Sequence, residues 1–259
     1  MKGTFRALLI LLIATAGTAS AQDATPLRVG IATDYAPLCY KEGDTIKGVE
    51  AEFAQQLGKD LSRQVDLVEL PREQLIPALR DKRIDVIMSG MSITKDRGKL
   101  VAFTQPYLRV GQMALIRSAD FQKLHDYAKM NLPATKIGVQ KGTTGAQYAH
   151  HSLSKAQIKE YENPDAGIAA LRTNEIDFFI HDAPTIWRVR GREAEKYADL
   201  AGRYRPLTDE NLAWAVRLKD HKLRDQLNDA LDHWRDNGFL EHVLDVSIPL
   251  RKYEVSKER

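Results

Sequence analysis

Short apolar runs alternate with amphipathic stretches along this 259-residue chain. Leu27–Ala32 predicts a strand, and Asp34–Pro37 turns the chain out of it. Apolar residues at 49, 53, 54, 57 and 61 keep helical spacing between Gly48 and Leu61. Val65–Leu70 predicts a second strand and Gln74–Arg80 a short helix. Ile84–Met88 is an apolar run bounded by charges, the mark of a buried parallel strand. A Ser/Thr/Arg loop and Val101–Phe103 follow. From Gln112 the pattern restarts, with strands at Met113–Ile116, Ala134–Val139, Ile158–Tyr161 and Ile176–Ile180. Helices are expected from the Lys141–Gly145 turn through His150, over Ala166–Arg172 and after Pro184. Asn211–Val216 is a further strand, Lys219–Trp234 a long amphipathic helix and Phe239–Leu244 a shorter one.

This alternation predicts an α/β fold with mostly parallel sheets flanked by helices. No flexible linker separates the two units, so they are expected as packed lobes. The first takes residues 27–110 and 208–249, the second 111–207, and residues 250–259 form a charged, frayed tail. Ligands in open α/β sheets sit at the carboxyl ends of the strands. Two lobes facing each other make a cleft there.

The first residues alter the cellular setting. Lys2 and Arg6 precede the apolar run Ala7–Ala14, and Ala19-Ser-Ala21 follows, which predicts a secretory signal peptide over residues 1–21. The apolar run is too short to span a bilayer, and the first residue after the expected cleavage is Gln22 rather than a lipid-bearing cysteine. A soluble periplasmic protein is expected. Removing residues 1–21 takes away two basic residues and no acid, leaving 36 basic against 35 acidic. That balance and the lack of a basic block argue against a nucleic-acid partner. Cys39 is the only cysteine, which excludes an internal disulfide and fits a small apolar role.

Candidate chemistry gathers after the strand at 84–88. Met88-Ser-Gly-Met-Ser-Ile-Thr-Lys-Asp-Arg97 offers hydroxyls at Ser89, Ser92 and Thr94, and then an arginine. Thr94 can cap the next helix, with Asp96 in its first turn. A strand end with free N–H groups, hydroxyls and one guanidinium can receive a small carboxylate. His150 and His151 point about 100° apart on a helix and make a poor metal pair. Neither zinc spacing, a nucleophile elbow nor a phosphate loop occurs, so no metal and no cofactor are expected.

Together these segments resemble the extracellular solute-binding proteins of the polar amino-acid type, the periplasmic components of ABC importers. The markers are Tyr35-Ala-Pro37, Gly48-Val-Glu-Ala-Glu52, Ile84-Asp85, Ser92-Ile-Thr94, Arg97, Phe103-Thr104, Pro106-Tyr107, Gly142-Thr-Thr144, Ile176-Asp177 and Asp182. Their order covers Leu27 to about Pro249. The resemblance implies a two-lobed, type II periplasmic-binding-protein fold that closes like a hinge on one small molecule. It implies that Arg97 holds a ligand α-carboxylate with Ser92 and Thr144, that Asp182 pairs with an α-ammonium, and that Tyr35 packs on the ligand side chain. Gly90 and Asp34 complete the candidate site. A zwitterion taken from water needs both charges matched, because an unpaired buried charge costs several kcal/mol. The implied partners are a small-molecule ligand, with an amino acid foremost, and an importer permease, for a monomeric protein. Where the family carries aromatic residues, this chain has Leu38 and Val49, and Gly90 replaces a frequent serine; these leave the ligand's identity open.

Two other functions share the fold. The periplasmic cyclohexadienyl dehydratases have local similarity at Thr33–Pro37, Met88–Ile93 and Pro106–Arg109. They carry a Glu three residues after the position of Asp182, and here that residue is Thr185. Catalysis is therefore not expected, with Glu50, Glu52 and His181 as the remaining possible acids. A ligand-sensing module for a receptor would use the same cleft. Each site residue also has an ordinary reading: a solvated helix arginine for Arg97, a helix cap for Asp182 or Thr144, a half-buried ring for Tyr35.

Overall fold

The computed structural model describes residues 25–191, 193–203 and 205–251. The expected signal peptide and most of the expected tail lie outside these residues. Two sheets form two lobes. The first orders Val65–Glu69, Leu27–Ile31, Val86–Ser92, Glu210–Val216 and Ala102–Phe103, with Leu108–Val110 also paired to Glu210–Val216. The second orders Gln157–Tyr161, Lys136–Gln140, Phe178–Asp182, Gln112–Arg117 and Leu200–Arg203. Each has a parallel centre: Leu27–Ile31 pairs in parallel with both neighbours, and so does Lys136–Gln140. Antiparallel strands enter where the chain crosses between lobes, at Gln112–Arg117 and Glu210–Val216.

The crossings lie against each other. Leu207 N–H donates to the Gln112 carbonyl at 2.7 Å, and Gln112 N–H to the Thr208 hydroxyl at 2.9 Å. Gly111 permits this approach, because a Cβ there would lie 2.1 Å from the Thr208 carbonyl oxygen.

The helix Val49–Asp60 starts without a side-chain cap. Its first amides donate instead to the carbonyls of Pro37 and Leu38. Gly48 makes this entry possible at φ 111°, where a Cβ would meet the Leu38 carbonyl at 2.3 Å. The helix buries Phe53 among Tyr107, Trp214, Trp234 and Phe239. The helices His221–Asp236 and Phe239–Ser247 thereby join the first lobe, and Trp234 Nε1 donates to Asp60 at 2.6 Å.

A small three-stranded sheet, Asp34–Tyr35, Cys39–Glu42 and Thr45–Lys47, departs from the simple turn expected at 34–37. Its strands are two to four residues long, too short for a period to show. Cys39 is buried within it, and burial raises its thiol pKa well above the usual range. No helix among the described residues is long and apolar enough to cross a membrane.

Candidate functional site

A cleft of about 760 Å³ opens between the lobes. Its wall follows the carboxyl ends of four parallel strands: Ala32 after Leu27–Ile31, Leu70 after Val65–Glu69, Gln140 and Lys141 at the end of Lys136–Gln140, and Glu162 after Gln157–Tyr161. The crevice outside the strands' carboxyl ends is the usual place for a ligand in such sheets. Its apolar lining includes Leu70, Leu75, Ile76 and Met91, and its charged lining includes Arg72 and Arg97.

The strand carrying the Arg97 loop runs further than expected, from Val86 to Ser92, so the small-residue segment is strand rather than turn. Its pairing with Glu210–Val216 is broken in the middle. Ile87 faces Ala215 and Met91 faces Ala213, leaving Met88, Ser89 and Gly90 opposite Trp214 alone. This bulge passes through Gly90 at φ 60°, in the left-handed region open to glycine. The displaced Gly90 N–H donates to Glu50 at 2.6 Å. Glu50 is completely buried, and it also accepts from the Tyr107 hydroxyl at 2.7 Å and Trp214 Nε1 at 2.9 Å. Burial pushes its carboxyl pKa up, and the three donors pull it back.

Thr94 caps the short helix Lys95–Gly98 by accepting from Arg97 N–H at 3.2 Å. Arg97 turns back so that Nη1 donates to the Ser92 carbonyl at 2.9 Å. Its guanidinium pKa lies below the ordinary value, first through burial and then through the charge of Arg72; Asp182 and Glu210 oppose this.

A second polar group crosses from lobe to lobe beside Arg97. The Tyr35 hydroxyl donates to Asp182 Oδ2 at 2.5 Å. The Gln112 amide donates to Asp182 Oδ1 and, at 3.1 Å each, to Thr144 Oγ1 and Glu210 Oε1. The Thr144 hydroxyl donates to Glu210 Oε2 at 2.7 Å. Asp182 stands at the N-terminus of Ala183–Arg190 but makes no side-chain cap. Its carboxylate is turned to Tyr35 and Gln112. Thr144 is the first residue of its helix, and the cap is the preceding Thr143, which accepts from Ala146 N–H at 3.1 Å.

A third chain of contacts holds the opposite side of the cleft. Arg72 Nη2 pairs with Asp34 at 2.7 Å, and Asp34 accepts from Gln140 Nε2 at 2.5 Å. Gln140 Oε1 accepts from His181 Nε2 at 2.8 Å, which fixes the proton on that nitrogen. His181 lies edge-on to Tyr35 and stacks on Phe179. Burial, then the Arg72 charge, pushes its pKa down to about 3, so the imidazole is neutral.

Of the residues singled out from the sequence, Arg97 and Asp34 line the cleft. Tyr35, Asp182 and Thr144 meet one another in the cross-lobe group, and Ser92 presents its carbonyl to Arg97. Gly90, Val49 and Leu38 are placed differently from the expected pocket wall. Val49 and Leu38 are core residues with no exposure, and the Tyr35 ring fills the space in front of Gly90, 2.6 Å from where a Cβ would stand. Tyr35 itself is 1% exposed, packed in the core rather than along the cleft. Arg72, Gln112, Gln140 and Glu210 were not anticipated. Gln140 had a signal, as a polar residue directly after the apolar run Ile137–Val139 at a strand's carboxyl end. Arg72 follows a Leu-Pro pair and enters through a single 3-10 turn, which has no periodicity to show its direction. Among the described residues, no group of three or more His, Cys, Asp or Glu could hold a metal ion.

The chain matches the bacterial extracellular solute-binding proteins, family 3, over residues 27–246, and it belongs to that family. It is a solute-binding protein. It is 29% identical to the histidine-binding periplasmic protein of Salmonella typhimurium, over 91% of this chain and 93% of that one. It is 31% identical to the arginine-binding extracellular protein ArtP of Bacillus subtilis, over 84% of each. In three dimensions it is similar to the ancestral amino acid-binding protein AncCDT-1, a precursor of cyclohexadienyl dehydratase. That match has a TM-score of 0.79 and 30% identity, over 86% of this chain and 95% of the other.

Proposed function

We propose that the cleft captures a small carboxylate-bearing solute, an amino acid foremost, in the periplasm and delivers it to an ABC-importer permease by closure of the lobes. The lobes divide as 27–110 with 208–249, and 111–207. The observation that carries this reading is Arg97 of the first lobe in the lining of the cleft, together with Asp182 of the second lobe, whose carboxylate meets Tyr35 of the first. A guanidinium suits a carboxylate and an aspartate suits an ammonium. Only closure brings both to one ligand, so binding favours the closed state. The names of the histidine- and arginine-binding relatives support an amino acid.

Catalysis is not part of this reading. Thr185 supplies a buried hydroxyl where the dehydratases have a carboxyl. Glu50 is enclosed behind the bulge, Glu52 is exposed on its helix, and His181 is neutral and hydrogen-bonded. Incubation with prephenate or arogenate should yield no aromatic product; turnover would restore the enzyme reading.

A thermal-shift panel of amino acids, organic acids, amines and peptides tests capture. A ligand at a hundred times its Kd stabilises by about 2.7 kcal/mol. Arg97→Ala should abolish that response without unfolding the protein, and an unchanged response would remove Arg97 from the carboxylate role. Asp182→Asn should weaken amino acids far more than simple carboxylates. Equal losses would remove its amine role.

A further inference from the structure

The proposed reading places a carboxylate at Arg97, and it leaves a second guanidinium in the same cleft without a task. Arg72 lines the cleft with its side chain 16% exposed. Its Cζ lies over the Tyr35 ring, 5.5 Å from the centroid. Only Nη2 meets an acid, at one oxygen of Asp34, and Nε is buried with no hydrogen-bond partner. A buried guanidinium joined through one of its three nitrogens has unused donors in a fixed planar fork.

Two of the four acids that line the cleft, Asp34 and Glu69, are held by protein donors, which bears on the sign of the ligand it suits. Asp34 is shared between Arg72 and Gln140. Glu69 accepts from Thr33 at 2.6 Å and from Lys41 at 2.9 Å. Glu162 lies 3.7 Å from Lys141, and Glu73 is exposed to water. A cationic side chain entering here would compete with Arg72 for Asp34 and face two guanidiniums. An anion meets those guanidiniums with donors to spare. The walls between the charges, Leu70, Leu75, Ile76 and Met91, are aliphatic and suit a short methylene spacer.

From this geometry, and resting on the carboxylate role of Arg97, we infer that Arg72 is a specificity-determining residue selecting a solute with a second anionic group: an acidic amino acid or a related dicarboxylate. Asp34 holds Arg72 in place, and the ligand's distal carboxylate takes the guanidinium donors that face the cleft.

The test is isothermal titration of the full mature protein, unfolded and refolded to remove carried ligand, with L-glutamate, L-aspartate, L-glutamine, L-arginine, L-histidine and succinate. Wild-type protein should bind an acidic ligand about tenfold or more tightly than the matching amide, because only the acid gives the guanidinium's free donors charge-assisted hydrogen bonds. Arg72→Met should bring the acid-to-amide ratio close to one, and Arg72→Lys should keep part of it. The wild-type ratio decides the matter by itself should Arg72→Met not fold. Tighter binding of arginine or histidine than of the acids would overturn the inference, as would an acid-to-amide ratio near one, while leaving amino-acid capture standing. Silence across the whole panel would overturn capture and the inference together.

Discussion

His181 shows how one residue's surroundings set its chemistry. Between the Tyr35 and Phe179 rings, with Arg72 nearby, its imidazole stays neutral with a pKa of about 3, against 6.5 ordinarily. Between these values the unfolded chain binds a proton that the folded protein refuses. Stability therefore falls as pH drops from about 6.5 toward 3. In urea unfolding, wild-type protein should lose up to about 3 kcal/mol more than His181→Asn between pH 7 and pH 4. Parallel losses would place the acid sensitivity elsewhere. His181 was considered from the sequence only as an alternative acid. The strand expected at Ile176–Ile180 stops short of it, whereas the observed strand Phe178–Asp182 includes and buries it, and the rings that enclose it come from two lobes.

At the scale of elements, Glu50 ties three together. It stands in the first turn of Val49–Asp60, takes the N–H freed by the bulge at Gly90, and receives Trp214 from the neighbouring strand. Glu50→Gln keeps one carbonyl oxygen for three donors and turns an NH2 toward another donor. It should cost about 1–3 kcal/mol in urea unfolding, with the slope unchanged. A neutral outcome would mean that water replaces the carboxylate. The order and type of the longer elements were legible because each run carried its period, as in the apolar strand core Ile137–Val139 and the spacing of 223, 227, 231 and 234 along His221–Asp236. The short strands Leu108–Val110 and Leu200–Arg203 showed none. The bulge was not legible, since Met88-Ser-Gly-Met-Ser92 reads equally as a turn and as a strand. Only the offset in its pairing with Glu210–Val216 reveals which it is. Arg97 could be found from its motif, whereas Gln112 and Glu210 acquire their roles only where the crossings bring them to Asp182 and Thr144.

At the scale of the molecule, contacts already bridge the lobes, among them Tyr35 with Asp182, Thr144 with Glu210 and Asp34 with Gln140. A ligand that takes Asp182 competes with the Tyr35 hydroxyl and the Gln112 amide, so binding exchanges protein contacts for ligand contacts. Labels on Lys99→Cys and Lys141→Cys, both exposed positions on opposite lobes, would report the gap while Cys39 stays enclosed. Ligand should move the label-to-label distance toward its shorter population. A distance distribution unaltered by a tight ligand would exclude closure as part of capture.

The two crossings also bear on time. They are bonded through Gln112 to Leu207 and Thr208, with Gly111 bare at the contact. One cannot bend far without carrying the other, so the lips part along their whole length rather than at one corner. If the lobes close on a solute as proposed, its escape waits on that single event. Residence time should then follow the opening rate of the lobes, so that two solutes of different size but equal grip leave at the same pace.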